Sequence, residues 1–573
     1  MNHLKPKNFL VFLAASLMLL GSCSKQGGTV YLSDFISQNS EISDHTHYFR
    51  AALDKCRKIG AAKLILGEGI YHLRADKAYE RYVFVSNNDE GLKRILFDLS
   101  DMKNFEIDGT GAHLLFTGFI SPFLLNNSEN ITIKGLSIDY TRTFHSEGLI
   151  EAAGDGWIDV RFDEAYPYSV ADGTLNFQDR DGVRYTSTNM LEFDSQKREP
   201  AWRASDYWIN TRIVATHNPD GSVRVFKDKL MATPGNIMVF GAGKRDNPAI
   251  TISDSRDVLI SNVTIYHSGG MGVIAQRSAN IELNGVKVTP AERRVVSASA
   301  DATHFVNCEG YIRMIDCLFE NQKDDATNIH GIYPMITEIN GNKVILKLMH
   351  SQQHGFDFIK PGMTMEFVDR ESLITYGEAK VASVVRLNKE YTEVSFAGEL
   401  PGGVKPKDPV ASIDAYPEVL IKGCTMRNNR ARGLLLGSRG KTVIEDNFFH
   451  IPGASILFEG DGSYWYEQSG VREVMIRNNV FENCMYGYFN WGSATIATGS
   501  GIRKDREISR YNRNITVEGN IFRGFDPRLV NLYCVDGFIF RNNTIEKTDD
   551  YPADKANSEA IITRYCDNIL IEK

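Results

Sequence analysis

Eight cysteines are scattered through 573 residues without a single CxxC pair, one apolar run stands alone, and acidic residues outnumber basic ones. The missing CxxC spacing excludes the common zinc and dithiol motifs. The apolar run, Phe9 to Leu20, is too short to span a bilayer, and no second run follows it, so the body carries no membrane-crossing helix. With 64 Lys and Arg against 72 Asp and Glu, the formal net charge is −8. That balance excludes the basic surface on which nucleic-acid binding depends.

What is present begins at the N-terminus. Lys5 and Lys7 precede the apolar run, and Leu20-Gly21-Ser22-Cys23 closes it. This is the layout of a secretory signal over residues 1–22. Its end resembles a bacterial lipoprotein box, which implies lipidation of Cys23, a short tether over 23–30, and attachment to the cell envelope by lipid alone. Seven cysteines remain after Cys23. Their odd number and wide spacing point to buried thiols rather than disulfides, although an exported chain permits either.

A repeat runs along most of the sequence. ITIKGLSI (131–138), VLISNVTI (258–265), IELNGVKV (281–288), IRMIDCLF (312–319), VLIKGCTM (419–426), TVIEDNFF (442–449), VMIRNNVF (474–481), ITVEGNIF (515–522) and FIFRNNTI (538–545) share one pattern. Apolar residues alternate, two small or polar residues follow, and a slot residue comes next: Leu136, Val263, Val286, Cys317, Cys424, Asn447, Asn479, Asn520 and Asn543. Short alternating strands that cannot bury a core singly do so when stacked. The fold expected is all-β, a right-handed parallel β-helix, with the asparagines in register as an inward ladder. A propeller would need an even period and several hairpins per unit.

Phe49, Leu53 and Cys56 share one helical face before Gly60, so a cap helix is expected to cover the first coil within 31–142. The repeat breaks twice, leaving hairpin-like segments with Asp-Gly and Asn-Gly turns at 143–245 and 334–412. These read as insertions forming one small antiparallel barrel, or else two separate protrusions. The helix proper then occupies 246–333 and 413–573.

The fragment Asp-Ala-Thr occurs twice, at 301–303 and 325–327, 24 residues apart. That interval matches the 23-residue coil seen elsewhere in the repeat. Asp301 and Asp325 should therefore stack on neighbouring coils, ~4.8 Å apart, and Asp324 adds a third carboxyl. Like charges so close repel and raise each other's pKa. One group can then hold a proton while another is ionised, as glycoside hydrolysis requires. Calcium binding or a solvated acidic face is the competing reading. A regular strand would point Asp324 and Asp325 to opposite faces, so a bulge or turn is expected there.

DATH followed by KDDATNIHG, on a β-helix with barrel-like insertions and a lipoprotein start, resembles glycoside hydrolase family 110. Its members are bacterial exo-α-1,3-galactosidases. The resemblance implies inversion without metal or cofactor, catalysis by Asp301, Asp324 and Asp325, and a glycan partner with terminal α-galactose, blood-group-B structures included. By analogy with polygalacturonases it further implies Asp324 as general acid, with Asp301 and Asp325 handling the water. His267 and Met271 lie one coil before, His304, Asn328 and His330 flank the aspartates, and Arg432 follows the second insertion. Glu459 and Trp465 sit on a long turn. All eight are candidates for the sugar site, each with a plain structural alternative. Homo-oligomerisation is left open. Two other functions compete: a lyase or polygalacturonase-like hydrolase on acidic glycans, supported by Arg293 and Arg294, and a non-catalytic glycan-binding surface protein.

Overall fold

The computed structural model describes residues 27–36, 43–88, 91–552 and 559–572. The signal at 1–22, the lipidation candidate Cys23 and tether residues 24–26 lie outside the described residues. No described helix is long and apolar enough to cross a membrane.

Each copy of the repeat is two strands joined by a corner. In the copy at 258–265, strand Arg256–Ser261 ends, Asn262 and Val263 turn the chain, and Thr264–Ile265 begins the next face. The residue before every slot residue has positive φ: Gly135, Asn262, Gly285, Asp316, Gly423, Asp446, Asn478, Gly519 and Asn542. Only Gly, and less readily Asn or Asp, tolerates that left-handed conformation. The small or polar position in the pattern is therefore a backbone requirement.

The slot residues stack from coil to coil. Thr264 N–H donates to Leu136 O at 3.0 Å, Lys287 N–H to Val263 O at 2.9 Å, and Ile521 N–H to Asn479 O at 2.9 Å. The asparagine ladder is present. Asn447 N–H donates to Asn479 Oδ1 at 3.0 Å, Asn479 N–H to Asn520 Oδ1 at 2.9 Å, and Asn520 N–H to Asn543 Oδ1 at 2.9 Å. Beside it Phe449, Phe481 and Phe522 stack with centroids 4.9 and 4.8 Å apart. Ile131, Ile260, Ile281, Ile312, Ile421 and Ile444 line the interior with no measurable exposure. Each such side chain contributes ~1.5–3 kcal/mol through burial.

Three long parallel sheets result, the faces of one coil closed at its start by the helix Thr46–Ile59. Phe49, Ala52, Leu53 and Cys56 bury against Leu32 and Leu64, and Gly60 ends the helix at φ 62°. Six of the seven described cysteines are buried and none is paired.

The two insertions do not merge. Strands between Ser146 and Ala242 form one antiparallel sheet around Ile150, Val160, Phe177, Val225 and Phe240. Strands between Met335 and Ser412 form another around Ile336, Leu346, Phe367 and Phe396. Separate cores mean two small domains, which corrects the single barrel expected first and matches the alternative of two protrusions.

Candidate active site

The third long sheet carries the site. Its strands Thr303–Val306 and Thr327–Ile332 pair in parallel, Thr303 opposite Thr327. The pairing continues one step before the strands, where Ala302 N–H donates to Asp325 O at 3.0 Å. Asp301 and Asp325 are thus neighbours across the coils. Residues 324 and 325 lie in a bend ahead of the strand rather than within it, so both carboxyls turn to one side. Asn429 Nδ2 holds the bend by donating to Asp324 O at 2.9 Å. An oxygen from each of Asp301, Asp324 and Asp325 lies within 4.8 Å of the other two.

Each carboxyl has its own counter-group. Arg245 Nη2 donates to Asp324 Oδ2 at 2.5 Å and Arg430 Nη1 to Oδ1 at 3.3 Å. Burial pushes Asp324 up, but Arg245, Arg430 and Arg432 together hold it below the usual carboxylate range. Arg432 clamps Asp325 through Nε and Nη2, both at 2.9 Å. Burial and the neighbouring carboxylates raise Asp325 against that clamp. Among the described residues no guanidinium hydrogen-bonds to Asp301; its Oδ2 faces His304 Nδ1 at 2.5 Å. Burial and the Asp324 charge push it up to about 7. Asp324 is therefore the acid that stays ionised, while Asp301 and Asp325 are both pushed up toward neutrality. A divalent cation at this point would meet Arg245, Arg430 and Arg432 at close range, so the donor set does not suit a resident metal.

Of the residues expected from sequence, His304, Asn328, Arg432, Glu459 and Trp465 line the same narrow pocket as the aspartates. Glu459 Oε2 lies 4.0 Å from Arg432 Nη1. Asp461 shapes the long turn by accepting from the N–H groups of Ser463, Tyr464 and Trp465, which sets the Trp465 ring 4.9 Å from His350 of the second insertion. His330 stands behind His304 instead of on the pocket wall, at 3.0 Å between their Nε2 atoms.

His267 and Met271 do not face the sugar site. His267 is fully buried, and both ring nitrogens are engaged, with Phe144 N–H at 2.9 Å and Ser297 O at 2.5 Å. It ties the first insertion to the coil. Met271 packs among Val85, Ile274 and Ala300. The glycines around them allow close backbone approach, not sugar entry: a Cβ on Gly270 would meet Arg245 O at 2.5 Å.

Arg245, Arg430, Glu467, Asn87 and Gln352 were not legible from the sequence. Asn87 comes from an early coil, Arg245 from the end of the first insertion and Gln352 from the second. Asp206, in the first insertion, accepts from Arg430 Nε at 2.6 Å. Arg293 and Arg294 line a different cleft, beside the first insertion, where Arg294 pairs with Asp139 at 2.7 and 2.8 Å.

Comparison with known proteins completes the site's setting. Residues 146–238 match the model of the GLAA-B beta-barrel domain I, and residues 343–410 that of the GLAA-B beta-barrel domain II. Over 95% of this chain and 90% of the other, the sequence is 34% identical to alpha-1,3-galactosidase A of Shewanella woodyi. The chain belongs to glycoside hydrolase family 110. It is also 30% identical to alpha-1,3-galactosidase B of Akkermansia muciniphila, over 96% of this chain and 69% of that protein. With alpha-1,3-galactosidase B of Bacteroides thetaiotaomicron it shares 27% over 98% and 92%. The family 110 chain thus carries both barrel domains as insertions in one β-helix.

Proposed function

We propose that this chain is an exo-acting glycoside hydrolase that releases terminal α-1,3-linked galactose from host-type glycans, including blood-group-B structures, with inversion. The observation that carries the reading is the carboxyl cluster, in which groups of unlike protonation meet at one pocket on two adjacent coils. The family supplies the sugar and the linkage, through the names its relatives bear. An early coil, both insertions and the long turn all contribute walls, which suits a site for a single terminal sugar. Arg432, Glu459 and Asn328 supply polar partners for its hydroxyls, and Trp465 offers a ring face.

Asp301, Asp324 and Asp325 perform the acid and base steps in this reading. An oxygen separation within 4.8 Å is short for an inverting pair and would suit a retaining one. Against a covalent route, Asp324 and Asp325 have both oxygens engaged by arginine, and Asp301 has one held by His304. A guanidinium-paired carboxylate is a poor nucleophile and a good water-positioning group. If Asp324 is the acid, it takes up a proton from solvent when substrate displaces its arginine contacts. Positive charge comes from arginine, so the chemistry needs no metal.

The test is hydrolysis of a terminal α-1,3-galactosyl oligosaccharide by the wild type and by Asp301→Asn, Asp324→Asn and Asp325→Asn. Each variant is expected to lose about 10²–10⁴-fold in kcat. Full activity in any one of them removes that residue from the mechanism. Attachment through a lipidated Cys23 belongs to the same proposal. Cys23→Ala is expected to move the protein from the membrane fraction to the soluble one, and unchanged partition would contradict it.

A further inference from the structure

Behind Asp301 runs a line of titratable side chains that the acid-base triad does not use. Asp301 Oδ2 faces His304 Nδ1 at 2.5 Å, His304 Nε2 faces His330 Nε2 at 3.0 Å, and His330 Nε2 lies 3.6 Å from Glu467 Oε1. Glu467 arrives from the long turn, on a short strand antiparallel to the end of Thr327–Ile332, with Ile332 opposite Glu467. The side chains of His304, His330 and Asp301 are at most 4% exposed.

We propose that His330 and Glu467, acting through His304, are the positioning residues that make Asp301 a base by receiving its proton. This rests on the hydrolase reading above. Donor and acceptor roles in the line are forced from its far end. His330 Nδ1 faces Gly331 O at 2.8 Å, and a carbonyl can only accept, so Nδ1 carries a proton. A neutral His330 then offers a lone pair at Nε2, and His304 Nε2 must donate to it. That leaves neutral His304 with a bare Nδ1 facing a carboxyl oxygen, an arrangement that demands a proton between them. The line therefore holds one proton more than a carboxylate and two neutral imidazoles would.

That proton has two places to be. On the Asp301 Oδ2 side, Asp301 is an acid and cannot activate water. Shifted along, it leaves Oδ2 for His304 Nδ1 while the His304 Nε2 proton passes to His330 Nε2. Asp301 becomes a carboxylate and His330 an imidazolium facing Glu467. When the attacking water gives its proton to Asp301 Oδ1, the Oδ2 proton makes this one-place shift in the same step and leaves the charge at His330, so no proton is created or lost. The charged and titratable groups around the line are Asp324, Asp325, Arg245 and Arg432 at the Asp301 end, with Glu459 and Arg432 near Glu467. Burial opposes a cation at both histidines and Arg245 opposes it further at His304, whereas Glu467 favours it at His330. Burial raises Glu467 itself, so it too can take a share of the proton.

The test compares Glu467→Gln with the wild-type chain, measuring kcat and KM on the α-1,3-galactosyl oligosaccharide across the pH range of stability. Loss of the Glu467 charge weakens the line's hold on its proton. Expected are a fall in kcat of about ten-fold or more, KM within about two-fold, an acid limb of kcat/KM displaced to lower pH, and partial recovery in Glu467→Asp. A folded Glu467→Gln with wild-type kcat and limb overturns the proposal while the wild type stays active. Nitrogen-15 NMR of labelled histidines gives a reading independent of turnover and of variant folding. Protonation of His330 at Nδ1 in the wild type is expected, and a His330 protonated only at Nε2 overturns the proposal. A wild type that releases no galactose removes the hydrolase reading and this proposal together, whereas failure in the variant or the tautomer alone removes only this one.

Discussion

Burial and the Asp324 charge push the Asp301 carboxyl up, and that has a consequence for stability at the level of one side chain. Its folded-state pKa, about 7, lies above the ordinary value of 3.8. A group shifted upward contributes its stability fully below the unfolded pKa and loses it as pH rises through the folded pKa. Asp301→Asn should therefore be more stable than the wild type near pH 8, by up to about 4 kcal/mol, while the two converge near pH 4. Thermal melts across that range check it, and a constant offset would contradict the assignment. The same reasoning with opposite sign holds for Asp324, which the arginines keep ionised. A site that is inactive but more stable once one acid is neutralised is the expected signature of strain kept for function.

At the scale of elements, stacking is the main device. Asn479 Oδ1 accepts from both Asn447 N–H and Asn447 Nδ2, and its Nδ2 donates to Ile444 O at 2.9 Å. Asn479→Ala leaves these groups buried and unsatisfied, so a loss of at least ~2 kcal/mol is expected, measurable as a lower urea midpoint. The ladder was legible because the slot asparagines recur with the same neighbours. So were the corners, although their left-handed backbone explains the Gly, Asn and Asp better than polarity does. The doubled Asp-Ala-Thr was legible for the same reason: one coil separates its copies. The charge partners were not. Arg430 and Asp206 are 224 residues apart in sequence, and no period links an insertion to the coil it leans on. Asn189 Nδ2 fixes Asp206 at 2.8 Å, so the first barrel domain supports the Arg430 that contacts Asp324. Asp206→Ala is expected to lower kcat/KM by about ten-fold (~1.4 kcal/mol) with little change in melting temperature. Unchanged kcat/KM would make that contact structural only.

The whole molecule divides its labour between a regular scaffold and irregular additions. The β-helix sets the two aspartate-bearing coils one strand spacing apart, which fixes the triad. The insertions and the long turn bring Arg245, Gln352, Glu467 and Trp465 over that floor, converting an open cleft into a narrow pocket. His267 and Met271 show the limit of reading a site from its distance along a repeat. Being one coil away put them near the triad, but the local backbone turned both into the core. The central claim is that Asp301, Asp324 and Asp325 release a terminal α-1,3-linked galactose by direct attack of water, with arginine and not metal balancing the charge. The most direct measurement follows the sugar released by residues 24–573 from an α-1,3-galactosyl oligosaccharide by proton NMR, with chelator present. Early appearance of β-galactose, before mutarotation, is predicted. Early α-galactose would establish a covalent intermediate and contradict the inverting mechanism, and no release from a folded protein would contradict the claim altogether.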